Sequence, residues 1–179
     1  MRKFFVLAAL LVFVSGVAVA QDHPKAELFG GYSYLRVNPG QGVSGENFPG
    51  GWHASIAGNF NNWFGIAGDF SGHYKKIAGV RVNTHTFMFG PRISYRKNEK
   101  FTPFAHVQFG GAHAGSGGSS ESAFAVAIGG GVDAKINDTF AFRVAQFDYA
   151  LTRFDGPVSG TKANQHNFRF STGIVIRIK

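Results

Sequence analysis

The 179-residue chain contains no cysteine, two methionines and two tryptophans. Without cysteine it cannot depend on disulfides, and it escapes mispairing in an oxidising compartment. Long apolar runs are also missing. The longest, Phe4 to Val14, falls well short of the roughly twenty residues a membrane-spanning helix needs. Acidic residues are scarce, 10 against 18 Lys and Arg, yet the basic residues form no block of the kind that grips nucleic acid. Nucleic acid is therefore not an expected partner. The seven histidines include no pair at metal-binding helical spacing, and no G-x-S-x-G elbow is present. No metal, cofactor or catalytic residue is expected. Gly40-Gln-Gly-Val-Ser-Gly45 satisfies G-x-G-x-x-G literally, but the Glu46–Gly51 stretch that follows, with Pro49, cannot open the helix a dinucleotide site requires. It reads as a loop.

What is abundant is phenylalanine (20) and glycine (25). The last twelve residues show how they are used. Phe168, Phe170, Thr172, Ile174, Ile176 and Ile178 alternate strictly with Arg169, Ser171, Gly173, Val175, Arg177 and Lys179. Period-2 alternation of this length marks a strand about twice the usual globular length, with an aromatic-aliphatic face suited to a lipid-facing barrel wall. Ser171, Gly173, Ile176 and Ile178 also resemble the C-terminal assembly signal of bacterial outer-membrane proteins, although Lys179 follows where that signal usually ends on an aromatic.

The opposite end agrees. Met1-Arg-Lys3 is basic, Phe4 to Val14 is apolar, and Ala18-Val-Ala20 supplies the small-x-small cleavage pattern. Residues 1–20 are expected to be a cleaved signal peptide. Residues 21–179 then form one barrel domain with formal charge reduced from +8 to +6 by the loss of Arg2 and Lys3. A mean hydropathy of −0.03 hides such a barrel, because its strands are only half apolar.

Eight strands are expected, at about 26–37, 51–60, 64–74, 83–95, 101–111, 122–136, 140–152 and 167–178. In the first, Phe29 and Leu35 share the inner face with Glu27 and Ser33. The seventh blurs at Gln146-Phe-Asp148, the mark of a bulge. Three turns hold an odd number of residues between same-face neighbours, as antiparallel pairing demands: 61–63, 96–100 and 137–139. Each contains asparagine, suited to αL turn positions. Longer polar connections at about 38–50, 75–82, 112–121 and 153–166 read as extracellular loops, and the short turns as periplasmic. Trp63, Phe64, Tyr95, Phe101 and Phe140 gather at the short-turn end, Trp52, Tyr74 and Phe168 nearer the loops, as two aromatic girdles.

This pattern resembles the small eight-stranded outer-membrane barrel family typified by the OmpA transmembrane domain and OmpX. The resemblance implies an all-β, antiparallel up-and-down transmembrane barrel in the outer membrane of a Gram-negative-type bacterium. It also implies handling by periplasmic chaperones and the barrel-assembly machinery. A separate peptidoglycan-binding domain is not expected, and neither is an oligomer.

Glu27, Asp69, Arg92, Asp133, Arg143, Arg169 and Arg177 all fall on the inward phase, where they would form an ion network filling the lumen. Arg on the lipid face would cost about 2–4 kcal/mol at the midplane. Parity of the 137–139 turn sets Asp133 opposite Arg143. Lys75, Lys76 and Arg81 would form a basic loop facing outer-membrane lipopolysaccharide. The function expected is structural or surface-interacting and non-enzymatic. The alternatives are a narrow diffusion channel, a lipid A-modifying enzyme using His53 and Ser55, and a soluble lipocalin-like binder. Volume opposes the last, because the bulky face cannot fit inside eight strands.

Overall fold

A lipid-facing wall needs strands whose bulky residues all point outward, and the computed structural model is built from such strands. It describes residues 23–38, 44–77, 79–155 and 162–179. The expected signal peptide and most of the glycine-rich loop (residues 39–43) lie outside the described residues. The strands are β1 (Ala26–Asn38), β2 (Glu46–Phe48), β3 (Gly50–Asn59), β4 (Phe64–Ile77), β5 (Val80–Ser94), β6 (Phe101–Ser116), β7 (Ser119–Lys135), β8 (Phe140–Asp155) and β9 (Lys162–Ile178).

Each strand pairs antiparallel with its neighbour, and β9 pairs with β1 along thirteen residues from Ala26↔Ile178 to Asn38↔His166. Closure removes both free edges. β2 and β3 together make one stave, since both pair with β1. They are divided at Pro49, which has no N–H to give to a ladder. The result is a closed, eight-stranded up-and-down barrel.

Inside and outside are the reverse of a soluble barrel. Trp63, Tyr95, Phe124, Ile128 and Phe147 are each more than half exposed, while Asp133, Arg143 and Asp148 are at most 2% exposed. Such a surface is stable only against hydrocarbon. Phe29 and Leu35 do point inward, so the phase of β1 is regular. Phe29 is held there by His53 edge-on at 5.0 Å and by the Arg143 guanidinium over its ring at 4.3 Å.

The three short turns share one device. Asn61, Asn98 and Asn137 each accept, through Oδ1, the backbone N–H groups two and three residues on, at 2.7–3.0 Å. The asparagines thus cap these turns through their side chains. The expected bulge is present, with register shifts at Val132/Asp133 and between Arg143 and Gln146.

Two expected loops are corrected. Residues 75–77, 80–82, 112–116 and 119–121 are strand, turned at Gly79 and at Gly117-Gly118, with φ of +83° at Gly79 and +56° and +92° at the glycine pair. Polar composition there reflects strands continuing past the apolar band into water, where neither face needs to be apolar. Gly31 and Gly173 face each other at the closure seam. A Cβ on Gly173 would lie 2.3 Å from the Gly30 carbonyl oxygen and 2.5 Å from Gly31 Cα. Gly173 is thus demanded by close backbone approach as well as by any assembly signal.

Candidate functional site

Inward alternation delivers ionisable side chains from most staves into one lumen. At the short-turn end, Arg92 Nη1 meets Glu27 Oε2 at 3.1 Å and its Nη2 meets Asp133 Oδ2 at 3.4 Å. Arg143 grips Asp133 with two bonds, Nε to Oδ1 at 2.7 Å and Nη2 to Oδ2 at 3.1 Å. The two residues are direct cross-strand partners. Phe104 supports both guanidiniums, with Arg92 at 4.1 Å and Arg143 at 4.4 Å from the ring centroid. Arg96 reaches in from its turn, donating to Glu27 at 3.3 Å and to Asn59 Oδ1 at 2.9 Å.

Gln146 joins this cluster to the next. It accepts from Arg143 Nη1 at 2.7 Å and donates to both Asp148 oxygens at 3.2 and 3.0 Å. Asp148 also accepts from Arg169 Nε at 2.9 Å and meets His106 Nε2 at 2.7 Å. Arg169 Nη2 continues to Asp69 at 3.0 Å, and Asp69 holds His53 Nε2 at 3.0 Å. The chain of contacts ends at Ser171, Ser33 and His73. Four carboxylates (Glu27, Asp69, Asp133, Asp148) thus face four bonded guanidiniums (Arg92, Arg96, Arg143, Arg169) in one continuous network.

Arg177 stands opposite Glu27 on the inward face, and among the described residues its buried Nη2 has no hydrogen-bond partner. Gln108 is fully buried with neither amide atom partnered among the described residues. Periodicity missed Asp148 because the β8 bulge shifts the phase, and polar Gln146 in a slot that alternation makes outward was the readable sign. It missed Arg96 because a turn residue has no phase. Lys75 departs from the expected outward basic loop, since its Nζ is bonded to Glu46 at the inner rim.

Asp69, His53 and Ser171 have the connectivity of a hydrolase triad, with His53 Nδ1 3.1 Å from Ser171 Oγ. The sequence suggested Ser55 beside His53, whereas the hydroxyl actually bonded is Ser171. Ser171 Oγ is fully buried and also donates to Ser33, so the triplet is one more link of the lumen network. Among the described residues, no group of three His, Asp or Glu is arranged to hold a metal.

Above the network the lumen changes character. A cup of about 290 Å³ opens toward the long-loop end, walled by Leu35, Phe48, Ile77, Val82, Met88 and Ala125. Ser71, joined to Arg169 Nη1 at 3.3 Å, lies among its lining residues where the ionic network begins.

The geometry has counterparts among solved structures. Neisserial surface protein A superposes with a TM-score of 0.72 at 12% identity, covering 88% of this chain and 100% of that one. The attachment invasion locus protein Ail of Yersinia pestis gives 0.59 at 18% identity, covering 86% and 99%. OprG from Pseudomonas aeruginosa gives 0.52 at 11% identity, covering 88% and 97%. At these identities the likeness is one of fold. No curated protein matches the sequence. The family model of the outer membrane protein beta-barrel domain matches residues 5–174. The chain therefore belongs to the outer-membrane protein β-barrel domain family.

Proposed function

We propose that this protein is a non-enzymatic, monomeric outer-membrane barrel with a structural and surface-interacting role, exported by a cleaved signal peptide, whose lumen is sealed rather than conducting. The observation that carries this is the continuity of the buried network. Each of its four carboxylates is no more than 3% exposed, and every one is shared by at least two donors. An ion crossing the barrel would have to displace charge-assisted bonds across most of the lumen, and eight strands leave little room beside them.

Single-channel recording of the folded protein in planar bilayers tests this. The expected result is a silent membrane at neutral pH. Discrete conductance steps from the native protein would replace this reading with the narrow-channel one. On the assembly side, Ile176→Asp should reduce insertion by the folding machinery, and it is a cleaner probe than Gly173, whose substitution also blocks the seam.

A further inference from the structure

Charge at the long-loop end is sorted by face. Arg36, Lys76, Arg81 and Arg153 stand on the outward phase of β1, β4, β5 and β8, and all four are exposed. Glu46 and Glu121, at similar height, line the inner cup instead. Among the described side chains no acid shares the outward face there. The short-turn rim is mixed: Lys135 pairs with Asp138, and Glu99 sits between Lys97 and Lys100.

Within this cationic rim one pair stands out. Lys76 and Arg81 are direct cross-strand partners at the tip of the β4–β5 hairpin. Among the described residues neither makes an ion pair or side-chain hydrogen bond. Like charges placed directly opposite one another destabilise a ladder. The pair borders a cleft of about 350 Å³ shared with Tyr74 and Lys75. Directly beneath lies a polar-aromatic platform in which Trp52 Nε1 donates to Tyr74 Oη at 3.3 Å and Tyr74 Oη meets His85 Nε2 at 3.0 Å. Below that, Phe70 and Phe87 pack at 4.6 Å on the lipid-facing wall.

We propose that Lys76 and Arg81 form a binding site for a phosphate group of a phosphorylated glycolipid in the outer leaflet. The phosphate sits between the two cations, the Trp52–Tyr74–His85 platform lies at the headgroup boundary, and an acyl chain runs down past Phe70 and Phe87. A dianion between the cations turns a repulsive pair into two charge-assisted contacts. Lipid is favoured over a soluble anion because the site is continuous with the apolar wall below it and faces away from the lumen. The proposal rests on the outer-membrane reading with the long-loop end outward, and it is independent of whether the lumen conducts.

The test is a reversal of sign. In phosphatidylcholine bilayers, Lys76→Gln combined with Arg81→Gln relieves the repulsion and should raise the melting temperature by about 2–4 °C. In bilayers containing bisphosphorylated lipid A, the native protein should gain stability and the double variant should not, so their order inverts. Lys76→Glu, which pairs with Arg81, should also be stable in phosphatidylcholine and unresponsive to lipid A. Lys97→Gln with Lys100→Gln at the other rim should respond as the native protein does. Heat-modifiable electrophoretic mobility confirms that each variant is folded. If the order does not invert, the site is overturned. If inorganic phosphate alone, added to phosphatidylcholine bilayers, reproduces the gain, the lipid assignment is overturned.

Discussion

The two halves of the lumen solve the same problem in opposite ways. Both must fill the inside of eight strands with residues that never see lipid. The half toward the short turns does so with charge, pairing four buried carboxylates with four guanidiniums. The half toward the long loops uses alanine, methionine and leucine, and leaves a cup of about 290 Å³. Buried charge is intolerant, because every group needs its partner at the right distance. The cup mixes apolar side chains with neutral pairs such as Ser71–Thr86 and Asn167–Thr152, so fewer of its contacts depend on a buried charge. The sealed half should therefore carry the stability, and the cup should tolerate change.

The largest break in this contrast should come from Arg169→Ala. It strips two buried carboxylates, Asp69 and Asp148, of a shared cation at the middle of the network. Losing one partner of a buried pair costs about 3–5 kcal/mol. Urea unfolding in lipid vesicles should show the midpoint falling with unchanged slope. Adding Asp69→Asn and Asp148→Asn should recover much of the loss, and no recovery would mean that Arg169 matters for packing rather than charge.

A smaller effect, about 3 kcal/mol for each single change, is expected from Asp133→Ala and Arg143→Ala. In Asp133→Ala, Arg143 keeps Gln146 and its two aromatic neighbours, and in Arg143→Ala, Asp133 keeps Arg92, which softens each loss. A double-mutant cycle should give coupling above about 1 kcal/mol. Additive losses would refute the pair as an energetic unit. Next in size is Gly129→Ala, because a Cβ there would lie 2.1 Å from Asp148 Oδ1 and 2.6 Å from the Phe147 carbonyl oxygen. Displacing that carboxylate from Arg169 and His106 should cost about 1–3 kcal/mol, as overpacking does.

These residues also show what a sequence can and cannot disclose about such a barrel. The outward faces were legible because lipid imposes one requirement on every second residue. The Asp133–Arg143 contact was legible because turn parity fixes which residues oppose. Asp148 was hidden by the single extra residue at the β8 bulge, which moves every later side chain to the other face. Strand ends above the membrane read as loops because water imposes no alternation. The join through Gln146 and the reach of Arg96 depend on side-chain length across staves, which no periodicity encodes.

The smallest predicted effect is the sharpest test of the contrast, because it uses one substitution at two positions on one strand face. Ala125 and Ala127 both point inward from β7 and both are fully buried. Ala125 lines the cup, whereas Ala127 lies below it opposite Gln108 and Ala150. Leucine at 125 extends from the cup wall toward its open space and gains apolar contact there. Ala125→Leu should therefore change stability by less than about 1 kcal/mol in either direction. Leucine at 127 faces fully buried Gln108 across the strand pair and must push on it or on the β8 wall. Ala127→Leu should cost about 1–3 kcal/mol. Both are measurable by urea midpoints in the same vesicles. Equal costs at the two positions would mean that the cup is as tightly packed in solution as the network below, and the division of the lumen into a rigid half and a permissive half would fail.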